Sequence, residues 1–217
     1  MQTPVSLKNA ERYVFRTTLA DGLWDIFIAC IALQFAIAPL LSEKLGDFWS
    51  SAVFLPFWLV VYLAIWLTRK SVVAPRLGRV ILGTVRKAKL RRFTAIMLVM
   101  NALVFILGIA VALTVDFQDR AQSGWLVSLI LGLFMLVGFS LAGYLLDTPR
   151  FYLYGLMLLV APPLGEWLYQ QYGFSHHGYP VVFGFSAAVM ILTGLGLFLR
   201  LLKNNPRIEI PPEERAS

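Results

Sequence analysis

Asp21 and Asp25 stand four residues apart at the start of a long apolar run, so on a helix they share one face. Carboxylates set into such a run can hold a proton or cation, or they can close ion pairs with Arg12, Arg16 or a loop arginine. Asp21-Gly22 also suits a helix start, where a side-chain oxygen accepts a backbone N–H and the positive helix end favours negative charge.

A second group gathers around Glu166. Pro162-Pro163 removes two backbone donors just before it and predicts a kinked or broken helix. Broken helices within a bilayer line cavities where loose carbonyls can bind cations. His176 and His177 follow on the next loop, with Asp116 and Asp119 across from them, which makes this the best place in the chain for a metal or a proton. Against it, adjacent histidines point apart and no H-x-x-x-H or H-E-x-x-H pair exists. The competing expectation is a capped helix end with solvated loop residues.

Other polar or small residues predict packing. Gln34 and Asn101 suit hydrogen bonds between helices, and Cys30 suits an apolar interior. Gly138 with Ala142 and Gly184 with Ala188 mark faces where helices can approach closely, within a bundle or across a dimer seam. No nucleotide loop, nucleophile elbow, zincin motif or haem-type cysteine pattern occurs, so no cofactor is expected.

The elements that must position these residues follow from composition. Of 217 residues, 59% are hydrophobic and 14% are charged, against roughly 25% charged in a soluble domain. So few charged groups, clustered in short segments, cannot cover a water-soluble surface. Disorder is excluded by the aromatic and aliphatic content, and one cysteine excludes an internal disulfide.

Six apolar runs, 22–41, 48–68, 93–115, 124–146, 151–170 and 180–199, are each long enough to cross ~30 Å of hydrocarbon as a helix. They show no period-2 alternation of polar residues, so a β-barrel is not expected. The expectation is an all-α integral membrane protein: a polytopic bundle of six transmembrane helices forming a single domain over 1–217.

Every lysine and arginine except Lys44 and Arg120 falls on one side if the N-terminus is cytoplasmic, which predicts N-in and C-in. Tryptophan agrees. Trp49, Trp125 and Trp167 fall near expected outer ends, Trp24 and Trp66 near inner ends, and only Trp58 is mid-span. Residues 1–21 then form a cytoplasmic interfacial segment, with Leu7, Ala10, Val14 and Thr18 at helical spacing over 1–18, and 200–217 form a cytoplasmic tail. The first run starts too late and runs too long for a secretory leader, so it is expected to be retained.

Short connections at 42–47, 116–123, 147–150 and 171–179 make successive helices antiparallel neighbours. In the one at 147–150, Thr148 is expected to cap the fifth helix and Pro149 to open it.

The loop 69–92 carries nine basic residues and no acid. An apolar stripe opened by Pro75 favours an amphipathic helix there. Gly78 and Gly83 favour an extended hairpin instead. Either form places Arg76, Arg79, Arg86, Lys87, Lys89, Arg91 and Arg92 where they orient the chain and can dock anionic lipid headgroups or an acidic partner. No aromatic residues interleave with them, so nucleic acid is not expected. The sequence therefore predicts a non-catalytic accessory or interaction protein of the plasma (inner) membrane, with the lipid bilayer, a protein or a second copy as partner. The alternative is a small transporter or channel with a proton or cation site at Asp21, Asp25 or Glu166.

Overall fold

In a computed structural model of the chain, residues 21–77, 88, 91–92, 94–96, 98–99, 102–103, 106 and 120–206 are described, and the regular elements among them are all helical. Helix α1 spans Leu23–Ala52 and α2 Phe54–Thr68, which continues through a π-helical turn, Arg69–Val73, into the short α3, Ala74–Leu77. Helix α4 is Arg120–Leu145 and α5 is Arg150–Tyr172. A 3-10 turn, Ser175–Gly178, leads into α6, Tyr179–Asn204.

Among the described residues, five stretches are long and apolar enough to cross a membrane: Leu23–Gly46, Phe48–Arg76, Gly124–Leu145, Arg150–Tyr172 and Ser175–Asn204. They coincide with five of the expected spans. Most of the expected third span, 93–115, lies outside the described residues, although 94–96, 98–99, 102–103 and 106 are helical. The segment 1–18, Arg79, Arg86, Lys87, Lys89, Asn101, Asp116, Asp119 and the tail beyond 206 also lie outside. Arg91 and Arg92 are helical and exposed.

Several joints differ from expectation. The expected 42–47 loop is helical up to a sharp joint at Gly46, with φ 75° and ψ 165°, a conformation open to glycine because it has no Cβ. The expected basic loop begins as helix. Pro75 has no N–H and its ring would press on the carbonyl four residues back, and the wider π turn relieves this by letting the Ala74 N–H reach the Arg69 carbonyl. At the start of α5, Pro149 rather than Thr148 is the cap residue, and the Thr148 hydroxyl donates to the Leu146 carbonyl at 3.1 Å. Asp147 takes a positive φ of 53° to make so short a turn.

The core lies between α1, α5 and α6. Ala29, Ala32 and Ala36 of α1, Phe151, Tyr154, Leu158 and Ala161 of α5, and Phe183, Ala187 and Met190 of α6 recur at spacings of three and four, so each set forms one helical face. Alanines on α1 admit the bulkier rings, and Phe35 stacks on Phe183 with centroids 5.2 Å apart. Helix α4 packs chiefly on α5, and α1 chiefly on α6. Helix α2 touches α1 lightly and leaves Leu55, Leu59, Val60 and Leu63 exposed.

In a bilayer, close backbone approach substitutes for hydrophobic drive between helices. Gly22 meets Gly194 backbone to backbone, where a Cβ on Gly194 would lie 2.8 Å from the Gly22 carbonyl oxygen. Neither expected small-residue pair makes so close an approach within the chain. Gly138 faces open space within this chain, and a Cβ on Gly184 would meet the Ala36 methyl of α1 at 4.0 Å, an ordinary contact.

The expected break at Pro162-Pro163 does not occur, and α5 is one continuous helix. Pro163 deprives the Leu159 carbonyl of its donor. Gly132 of α4 packs directly on that oxygen, so the unfilled acceptor is covered by a neighbouring helix.

Candidate functional site

Two buried polar clusters stand at opposite ends of α5. At the first end, Asp21 accepts the Leu23 N–H at 3.0 Å and so caps α1, as its place before Gly22 predicts. Its other oxygen receives Arg69 Nη2 at 3.1 Å, tying α1 to the end of α2. Burial pushes the Asp21 carboxyl above the ordinary aspartate range, and Arg69 draws it partway back. The guanidinium of Arg69 also lies over the Trp24 ring at 5.3 Å, while its buried Nε has no hydrogen-bond partner.

One turn further in, Asp25 is fully buried. Its Oδ1 lies 2.7 Å from Arg150 Nε and accepts the Tyr154 hydroxyl at 2.7 Å. Arg150 and Tyr154 are four apart on α5, so they share the face turned to α1, as Asp21 and Asp25 share theirs. On α6, the Thr193 hydroxyl donates to the Val189 carbonyl of its own helix at 2.8 Å. The second oxygen of Asp25, Oδ2, is buried without a hydrogen-bond partner. Expected partners of these aspartates included Arg12 and Arg16, which lie outside the described residues. The carboxylate faces were legible in the sequence, and the opposing Arg150/Tyr154 face carried the same four-residue signal without being singled out.

At the other end, Glu166 is 1% exposed. His177 Nδ1 lies 2.7 Å from its Oε2, Gln170 Nε2 donates to its Oε1 at 2.9 Å, and Trp125 Nε1 donates to Gln170 Oε1 at 2.8 Å. This chain joins α4, α5 and the 3-10 turn. The turn sits directly on α5, since a Cβ on Gly178 would lie 2.6 Å from the Gly165 carbonyl oxygen. Left-handed backbone at His176 and His177, with φ of 55° and 53°, sends the two rings apart. His177 stacks near Tyr169 with centroids 4.5 Å apart, and His176 Nε2 lies 3.5 Å from Glu43. Trp125, expected at an outer helix end, is tied to Glu166 through Gln170, whose place one turn beyond Glu166 is the sequence signal for that link.

Gln34 accepts Trp58 Nε1 at 2.7 Å, the bond between helices its mid-span place predicts. No group of three or more His, Cys, Asp or Glu side chains able to hold a metal occurs among the described residues. A groove between α5 and α6 of about 510 Å³ is walled by Leu153, Leu156, Met157, Val160, Leu164 and Phe185 among others, nearly all apolar. The arrangement fastens helices through buried ion pairs and hydrogen bonds, and supplies no nucleophile–base pair. The chain matches no family model, no curated protein and no solved structure.

Proposed function

We propose that the chain is a six-span protein of the bacterial plasma membrane, with both termini cytoplasmic, that does no catalysis and works as an accessory or interaction protein through its basic face. One observation carries this reading. Asp21, Asp25 and Glu166 are each held by a partner from another segment, so the deepest ionisable groups serve as fasteners. Charge left for outside contacts then lies at the end marked by Lys70, Arg76, Arg91 and Arg92, where the positive-inside tendency places the cytoplasm. Arg79, Arg86, Lys87 and Lys89 extend the same basic stretch in the sequence.

Purification from native membranes in a mild detergent tests this. A partner protein that stays bound, and is released when Arg76, Arg79, Arg86 and Lys87 are neutralised while cysteine labelling shows unchanged orientation, supports the reading. A monodisperse protein with no partner, or binding that survives neutralisation, removes it. Labelling that places the two termini on opposite sides of the membrane removes the six-span topology.

The unpartnered Oδ2 of Asp25 favours one second reading, a proton or cation site in a small transporter. It predicts ion flux in proteoliposomes that Asp25→Asn abolishes, with Glu166→Gln as the parallel test at the other end. Flux unchanged in both variants excludes those carboxylates as carriers.

A further inference from the structure

Beside the Asp21–Arg69 pair, α1 and α2 diverge to leave a cleft of about 210 Å³ lined by Leu23, Trp24, Phe27, Tyr62, Ile65 and Arg69. Its walls are aliphatic and aromatic, and its one charged lining residue is the arginine. The next residue, Lys70, is exposed with its ammonium 5.0 Å from the centre of the Trp66 ring. Arg69 gives one nitrogen to Asp21 and keeps Nε unpartnered, and the stretch 69–77 holds Arg69, Lys70 and Arg76 with no acid. Trp24 lies beside Arg69 and Trp66 beside Lys70, in keeping with the preference of indole rings for the headgroup depth of a bilayer. A narrow apolar slot beside a lip where Arg69 and Lys70 face the single carboxylate of Asp21, leaving a net positive charge, has the polarity of an anionic phospholipid. It is too small for a helix, which with side chains is ~10 Å across.

We infer that the α1–α2 cleft binds one anionic phospholipid, an acyl chain lying against Trp24, Phe27, Tyr62 and Ile65 and the phosphate meeting Arg69 and Lys70. The inference gives a partner to the basic face and rests on the reading that this end meets the headgroups. Charge complementarity selects the occupant: a zwitterionic lipid offers the same chains but brings its own cation to a lip that already has an excess. An acidic protein segment would meet the lysine without using the slot.

The test uses the full-length protein, delipidated in a neutral detergent and titrated with dioleoylphosphatidylglycerol or dioleoylphosphatidylcholine, with bound lipids counted by native mass spectrometry. One phosphatidylglycerol is expected to persist where phosphatidylcholine is lost. Lys70→Gln should weaken it about fivefold, from on the order of 1 kcal/mol per cation near an anionic surface. Ile65→Trp, which fills the slot, should weaken it without changing any charge. Lys203→Gln, on α6 at the same end, should leave it unchanged. Arg69→Gln also breaks the bond to Asp21, so Lys70→Gln is the deciding charge variant.

Equal binding of the two lipids, equal losses in Lys70→Gln and Lys203→Gln, or full binding in Ile65→Trp each overturns the site. Displacement by millimolar inorganic phosphate as effective as displacement by lipid overturns it too, because it shows an anion site without an acyl chain. A detergent micelle has no sides and the assay contains no partner protein. Failure here therefore leaves orientation and partner binding to their own tests.

Discussion

The two polar clusters on α5 differ in what holds their carboxylates. At the Asp21/Asp25 end the counter-groups are guanidinium ions, charged at any accessible pH, and they arrive from α2 and from the start of α5. At the Glu166 end they are an amide and an imidazole, and the pair with His177 is ionic only while the ring carries a proton. The carboxylates are equally buried at the two ends, and the difference lies in their partners: the Arg150 side chain is 21% exposed and the His177 side chain 50%. Fixed charge is used where helices must be locked together, and adaptable polar groups where a turn rests on a helix end.

This contrast predicts a ranking of losses. The largest should come from Asp25→Asn, which removes the buried carboxylate that Arg150 Nε and the Tyr154 hydroxyl both reach. Breaking one side of a buried pair costs about 3 kcal/mol or more, read as a lowered midpoint in detergent or SDS unfolding. The double variant Asp25→Asn/Arg150→Gln should lose less than the two single losses added together. Additive losses would show that the pair is not coupled. Gly194→Leu, which forces α6 away from Gly22 and so from the same cluster, should cost on the order of 2 kcal/mol in that assay. A silent substitution there would mean the two backbones do not touch.

Glu166→Gln keeps hydrogen-bonding atoms in place and should cost about 1 kcal/mol. A loss as large as that of Asp25→Asn would erase the distinction between the two ends. The smallest change is expected from Trp58→Phe, which deletes the bond to Gln34 at a typical worth of ~0.6 kcal/mol.

Legibility in the sequence followed the range of each interaction. Asp21 as a cap depends on its neighbour Gly22 and could be read directly. Glu166 near His177 depends on one short connection, and that too was readable. Asp25 with Arg150 and Tyr154 joins groups more than a hundred residues apart. Each half shows its own face by four-residue spacing, but only the packing of α1 and α5 on α6 tells which faces meet. The small-residue pairs have the same limit, because Gly138-Ala142 shows where a helix is thin and says nothing about what lies opposite. Pro162-Pro163 predicted a kink or a break, and α5 runs on as one helix with Gly132 of α4 packed over the Leu159 carbonyl, a close approach that the glycine's lack of a side chain permits.

That covered acceptor also bears on how the chain enters the membrane. Helix α5 alone would present the Leu159 carbonyl to lipid, and an unsatisfied group there costs several kcal/mol. It is also the least apolar of the five crossing stretches. Helix α5 is therefore expected to leave the insertion machinery as a hairpin with α4 rather than singly, and the four-residue connection between them keeps the two together. A glycosylation reporter should show efficient insertion of α5 when α4 precedes it and poor insertion when an unrelated apolar helix replaces α4. Equal insertion behind either helix would mean that α5 needs no companion to cross.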